Sequence, residues 1–202
     1  MEYGKFTELQ MDVLREIGNI GSGNAATALS SMLQQPINIS IPQVNMIKYN
    51  DLVEKLGGPE TLIVGILLDV TGELEGTIMF FMKKEFTAQI ISTLLFKEEV
   101  EFEALTEMDL SVIQEIGNIL SASYVNSIAG LTGLRLDLSV PSLCVDMAGS
   151  IVSFPAIKYG EIGDNVLMIE GSFDDNSILE TKIMLILENN SLDVLMTRLG
   201  VQ

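Results

Sequence analysis

The chain is expected to adopt an α/β (α+β) fold built on an internally duplicated unit of helix, three strands and helix. This would give a mostly antiparallel six-stranded sheet, two long helices and a pseudo-twofold axis. Three observations predict it. Glu16-Ile17-Gly18-Asn19 recurs as Glu115-Ile116-Gly117-Asn118, a shift of 99 residues. The same shift carries Asp12 onto Ser111 and Pro42 onto Pro141 without a gap. Each copy is then followed by two strand-like runs joined by a short polar turn, the mark of a hairpin and so of antiparallel neighbours. A repeat this long is no solenoid unit and reads as duplication of a half-domain. One domain over 1–202 is expected, made of repeats at about 7–97 and 105–200.

Residues 8–33 read as one helix with Thr7 as its N-cap, ended by Pro36. Residues 38–48 alternate apolar and polar, a half-buried strand interrupted at Pro42, which cannot donate to a ladder. Residues 51–56 suit a short helix closed by Gly57-Gly58-Pro59. Strands at 62–70 and 76–82 follow, then an amphipathic helix over 85–95. Glu98, Glu99, Glu101 and Glu103 form a solvated acidic connector.

The second half repeats the order. Thr106 and Asp109 resemble a capping box with Asp in the place of Glu, and the helix runs to about Leu131. Residues 134–147 are expected to form one strand, with Pro141 placed like Pro42, and 149–163 to be irregular or briefly helical. Strands at 165–173 and 179–187 enclose a turn containing Asp174, Asp175 and Asn176, and a helix over 191–199 closes the chain. Glu180, Ile183 and Met184 echo Glu75, Ile78 and Met79 at a shift of 105, so about six residues were inserted between the halves.

The helical copies carry more than a core face. At about 100° per residue, Asp12, Glu16 and Asn19 fall on one narrow polar stripe. Val13, Leu14, Ile17 and Ile20, with Gly21 and Ala28, occupy a separate apolar arc. The second copy sets Ser111, Glu115 and Asn118 above Val112, Ile113, Ile116, Ile119 and Leu120. Gly23 and Ala122 lie one turn beyond each Asn, small enough for another molecule to approach the amide. Asn is a poor residue for a helix interior. Keeping it there twice, with the same Glu and the same proline, points to a site.

Composition narrows the chemistry. Eleven Lys and Arg against 28 Asp and Glu give a formal charge of −17, so nucleic acid and anionic lipid are poor partners and a basic protein surface a better one. No run approaches the roughly 18 apolar residues of a membrane span, so no membrane insertion is expected. Met1 to Lys5 hold no apolar signal core, which suggests a cytoplasmic protein. With no histidine, a Ser-His triad and a His-ligated metal are excluded. The carboxylates are spread along the stripe, not clustered, so no metal site is expected. Gly18, Gly21 and Gly23 lie inside the helical period and follow no strand, which favours helix packing over a phosphate loop. Cys144 is the only cysteine and, in an apolar run, is expected to be a buried thiol.

The pattern Asp/Ser-x3-Glu-x2-Asn-x22-Pro resembles the active-site signature of the CheC/CheX/FliY family of bacterial chemotaxis phosphatases. It is met by Asp12, Glu16, Asn19 and Pro42 and again by Ser111, Glu115, Asn118 and Pro141. Two motifs argue against the CheX type, which has one, and the absence of the further terminal segments expected of FliY suggests a freestanding CheC type. The resemblance implies two long helices side by side on the sheet, both stripes outward. It also implies hydrolysis of the phosphoaspartate of the response regulator CheY. Asn19 and Asn118 would position the attacking water, because a carboxamide accepts a hydrogen bond from water and donates one to a phosphoryl oxygen. Glu16 and Glu115 would pair with the regulator's active-site lysine, and Asp12 and Ser111 would help seat it. No cofactor would be bound by this chain; Mg²⁺ would arrive with the phosphorylated regulator. CheD, a receptor glutamine deamidase, is a second implied partner, and an adaptor for CheD with weak hydrolysis is the alternative function.

Overall fold

The computed structural model describes residues 6–37, 42–159, 165–172 and 180–201. Thr7 opens α1 (Glu8–Leu33) with a capping box: its hydroxyl accepts from the Gln10 N–H at 3.3 Å, and the Gln10 side chain accepts from the Thr7 N–H at 2.9 Å. A left-handed residue, Gln34, ends the helix just before Pro36. Then follow β1 (Gln43–Lys48), α2 (Tyr49–Lys55), β2 (Leu62–Gly72), β3 (Gly76–Lys83) and α3 (Lys84–Leu95). A single 3-10 turn at Phe102–Ala104 leads into α4 (Glu107–Thr132), whose box is closed by Thr106 and Asp109 as the spacing predicts. The second half continues through β4 (Leu136–Leu138), β5 (Ser142–Met147), α5 (Ala148–Tyr159), β6 (Asn165–Ser172), β7 (Glu180–Leu187) and α6 (Asn189–Arg198).

The strands of the two repeats interleave in one antiparallel sheet ordered β1-β6-β7-β3-β2-β4, with β5 also paired to β2. Each half lends an outer strand to the other: β1 pairs with β6, and β5 with β2. At the centre β3 meets β7 with Met79 opposite Met184, the residues matched by the 105-residue shift, so the pseudo-twofold axis passes between them. The sheet is covered on both faces, which is why β3 is a nearly continuous apolar run. Ile78, Phe80 and Met82 join the larger core with α1, α3, α4 and α6, while Met79 and Phe81 join a smaller core with α2 and α5.

The sheet has seven strands among the described residues, not six, because 134–147 is broken in two. Val70 pairs with Leu138 and Leu67 with Ser142, so three residues of one strand face two of the other, a bulge ending at Pro141. Ser139 replaces the lost ladder bonds: its N–H donates to the Asp69 carbonyl at 3.0 Å, and its hydroxyl accepts from the Asp69 N–H at 2.9 Å. The stretch 149–163, expected to be irregular or briefly helical, is helical over about three turns: α5 runs from Ala148 to Tyr159 despite Pro155. Ile151, Val152, Pro155 and Tyr159 supply its buried face, and the Tyr159 hydroxyl bonds that of Thr77 on β3. Cys144 is exposed, not buried. It sits on an edge strand beside a cavity of about 350 Å³ lined by residues such as Gly65, Ile151 and Phe154. Partial burial and the neighbouring Asp146 push its thiol pKa up. Residues 38–41 of the first predicted strand and the turn with Asp174, Asp175 and Asn176 lie outside the described residues.

Candidate functional site

The two long helices lie side by side and antiparallel, and their contact is set by a glycine. At Gly21 an added Cβ would come within 2.6 Å of the Tyr124 ring, so no other residue lets that ring in without movement. The Tyr124 hydroxyl reaches Ser22 at 2.6 Å, and Ser127 donates to the Ile17 carbonyl at 3.4 Å. Numbering rises along one helix as it falls along the other, which fixes the antiparallel direction. Burial raises the pKa of Tyr124, against the opposing effect of the Ser22 bond, so the hydroxyl stays protonated. Under the 99-residue shift, Gly21 and Tyr124 correspond to Leu120 and Ala25, both fully buried. Bulk has changed sides between the copies.

Two further glycines seat the helices on the sheet. A Cβ at Gly18 would lie 3.2 Å from Val44 and 3.7 Å from Pro42; one at Gly117 would lie 2.7 Å from Ile66. Gly18 and Gly21 are therefore packing positions, as the helical period predicts, whereas a Cβ at Gly23 would meet nothing within 4 Å. Pro42 is buried against Gly18, whereas Pro141 is half-buried before β5.

Held down this way, each helix turns its stripe to solvent. Asp12, Glu16 and Asn19 are all exposed, as are Ser111, Glu115 and Asn118. On α4 the Asn118 amide donates to the Glu115 carboxylate at 3.3 Å. On α1, Asn19 has no side-chain hydrogen-bond partner among the described residues, and Asp12 is ion-paired with Arg15. The repeat does not mark Arg15, although it is the sole Lys or Arg on either long helix and lies at the i,i+3 spacing from Asp12 that such pairs use. Its counterpart on α4 is Gln114, beside Ser111. Among the described residues, no group of three or more Asp, Glu, His or Cys side chains is arranged to hold a metal ion. The exposed chemistry is thus carboxylate and carboxamide, twice, on rigid helices.

Two stretches of the chain, residues 9–46 and 108–145, match the sequence model of the CheC-like family, and they too are offset by 99. The chain is 32% identical to the CheY-P phosphatase CheC of Bacillus subtilis, over 96% of this chain and 95% of that one. The chain belongs to the CheC-like family. Among solved structures, this CheC-like chain shares its fold with Thermotoga maritima FliY, at a TM-score of 0.71 and 24% identity, covering 98% of this chain and 99% of that one. It also shares it with the CheX–CheY–BeF3–Mg²⁺ complex from Borrelia burgdorferi, at a TM-score of 0.55 and 20% identity, covering 84% and 96%. No described helix of the CheC-like chain is long and apolar enough to cross a membrane.

Proposed function

We propose that this chain hydrolyses the phosphoaspartate of the response regulator CheY. The observation that carries the reading is the duplicated, outward-facing Glu-x2-Asn pair on α1 and α4, in a chain 32% identical to a CheY-P phosphatase. An acyl phosphate is already activated, so catalysis needs positioning and electrostatics more than a base. In our reading Asn19 or Asn118 accepts a hydrogen bond from water and donates one to a phosphoryl oxygen. The water oxygen bonds phosphorus as the bond to the aspartyl oxygen breaks, giving a free carboxylate and inorganic phosphate. Glu16 and Glu115 dock the regulator through its lysine, and Asp12 and Ser111 help seat it. The regulator brings Mg²⁺; this chain's separated carboxylates suit that division of labour.

The chain works as a single domain with two sites, in the cytoplasm where its substrate is. CheD is a second partner in this reading. The decisive measurement is phosphate release from phosphorylated CheY with and without the chain, beside titration calorimetry of the chain with Mg²⁺. Faster release and no stoichiometric Mg²⁺ binding are expected. Unchanged release together with CheD binding would make the chain an adaptor.

A further inference from the structure

Each stripe begins with an exposed apolar side chain one turn before Asp12 or Ser111. Leu9 is the only large apolar side chain that α1 exposes among the described residues, 60% open to solvent; Met108 on α4 is 62% open. They are mates under the same 99-residue shift. Of the exposed large apolar residues described, no other two are so related. A lone exposed leucine needs no explanation. This position differs because both copies keep an apolar side chain in water although the identity has changed from Leu to Met.

Its place on the helix gives it a use. Leu9 lies two turns before Glu16 and within about 20° of it around the axis, and Met108 stands in the same relation to Glu115. Each stripe therefore runs about 15 Å, from an apolar end through Asp12 or Ser111 and the glutamate to the asparagine. Because α1 and α4 are antiparallel and meet near Ser22 and Tyr124, the asparagines lie toward the crossing. Leu9 and Met108 fall at opposite outer ends, roughly 40 Å apart.

We infer that Leu9 and Met108 are the apolar anchors of the two docking sites, each burying against the regulator whose phosphoryl group sits at the asparagine of the same helix. The occupant follows from continuity: a partner held by Glu16 and Asn19 must pass over or beside Leu9. Exposed carboxylates steer a partner and set its register, whereas residence comes from a desolvated apolar contact at the patch. The outward position of each anchor also gives each regulator its own contact, so neither site needs the other's.

The inference rests on the phosphatase reading and is tested with it. Leu9→Gln and Met108→Gln keep helix-forming side chains of similar length and remove the apolar surface. Titration of each variant with CheY carrying beryllofluoride measures binding, and steady-state turnover separates KM from kcat. The double variant should bind about tenfold more weakly and raise KM to match, with kcat and melting temperature unchanged. Leu9→Met and Met108→Leu should keep normal binding. Unchanged binding and KM in the double Gln variant, with the wild type active, would overturn the anchors and leave the phosphatase reading intact. A fall in kcat at constant KM would also overturn them. A wild-type chain that neither binds CheY nor speeds phosphate release would overturn the phosphatase reading and the anchors together.

Discussion

The stripe on α1 and the stripe on α4 differ around an unchanged pair. Glu and Asn are kept at the same spacing, but the α1 copy surrounds them with the Asp12–Arg15 ion pair and the α4 copy with neutral Ser111 and Gln114. The unliganded amides differ as well. Asn118 is held by Glu115 at 3.3 Å, while Asn19 has no such partner among the described residues. In the proposed mechanism the carboxamide serves water and a phosphoryl group, and on α1 it starts with both capacities open. On α4 it must first give up a long, solvent-exposed bond. The Glu and Asn that the proposed mechanism uses are the same in both copies and their surroundings have diverged, so under that mechanism the two sites should perform the same step with different efficiencies.

Replacing both asparagines tests the shared part. Asn19→Ala with Asn118→Ala should lower accelerated dephosphorylation on the order of a hundredfold, since a mispositioned nucleophile costs that much. The circular dichroism spectrum should not change, because both side chains are exposed. Of the single variants, Asn19→Ala should lose the larger share. The reverse ranking would mean that Glu115 pre-orients Asn118 and does not compete for it.

The buried side of the comparison is next. Gly21→Ala drives a methyl into the Tyr124 ring, against a 2.6 Å approach, and should cost about 1–3 kcal/mol by thermal or denaturant unfolding. Gly23→Ala, two residues on, meets nothing within 4 Å and should not destabilise the chain. Equal losses at the two glycines would show that backbone freedom, not the tyrosine, governs this turn.

The glutamates separate docking from positioning. With Asn118→Ala in place, Glu16→Ala reports on the α1 site alone and should raise KM about tenfold at low salt, leaving kcat unchanged. The loss should shrink as salt rises. With Asn19→Ala in place, Glu115→Ala should raise KM similarly and also change kcat, because it frees the Asn118 amide. Identical kcat responses at the two sites would remove the distinction drawn from that hydrogen bond.

Much of this was legible in sequence, for identifiable reasons. Both long helices, their caps and both hairpins follow from local period and turn chemistry, and the stripes follow from a repeat that needs no structure to be seen. What escaped depends on contacts distant in the chain. The strand break at Ser139 is stabilised by Asp69, on another strand and in the other repeat. Helix α5 is held by a buried face and by the Tyr159–Thr77 bond, which Gly149 and Pro155 hid from a reading of propensities. Cys144 lies in an apolar run that becomes an edge strand, so alternate residues turn outward. The Gly21–Tyr124 contact was beyond reach because a glycine names no partner. Arg15 is legible from its local spacing to Asp12, but the repeat does not mark it because its counterpart is Gln114.

The smallest expected effect concerns the caps that start the two stripes, and it is one of pH. The α1 box is neutral, made by Thr7 and Gln10. The α4 box is ionic: Asp109 is buried, accepts from the Thr106 N–H at 2.9 Å and from Lys97 at 2.6 Å. Burial alone would raise the Asp109 pKa, but the hydrogen bonds from Lys97 and Thr106, with the charge of Lys97, outweigh it and leave the pKa below the usual 3.8. A carboxyl whose pKa is lower folded than unfolded stabilises the native state fully above the unfolded value and loses that contribution as pH falls through the folded one. Asp109→Asn should therefore cost about 1 kcal/mol at pH 7, as a weakened cap does, and its deficit against wild type should narrow below pH 3.8. Gln10→Ala has no titrating group to lose, so its deficit should be the same at both pH values. Glu170 and Asp69 also carry lowered pKa values, and for that reason the measurement is the difference between variant and wild type, not the acid stability of either. A deficit for Asp109→Asn that stays constant from pH 7 to pH 3 would show that the cap acts through its hydrogen bonds alone, and the electrostatic contrast between the two helix starts would fall away.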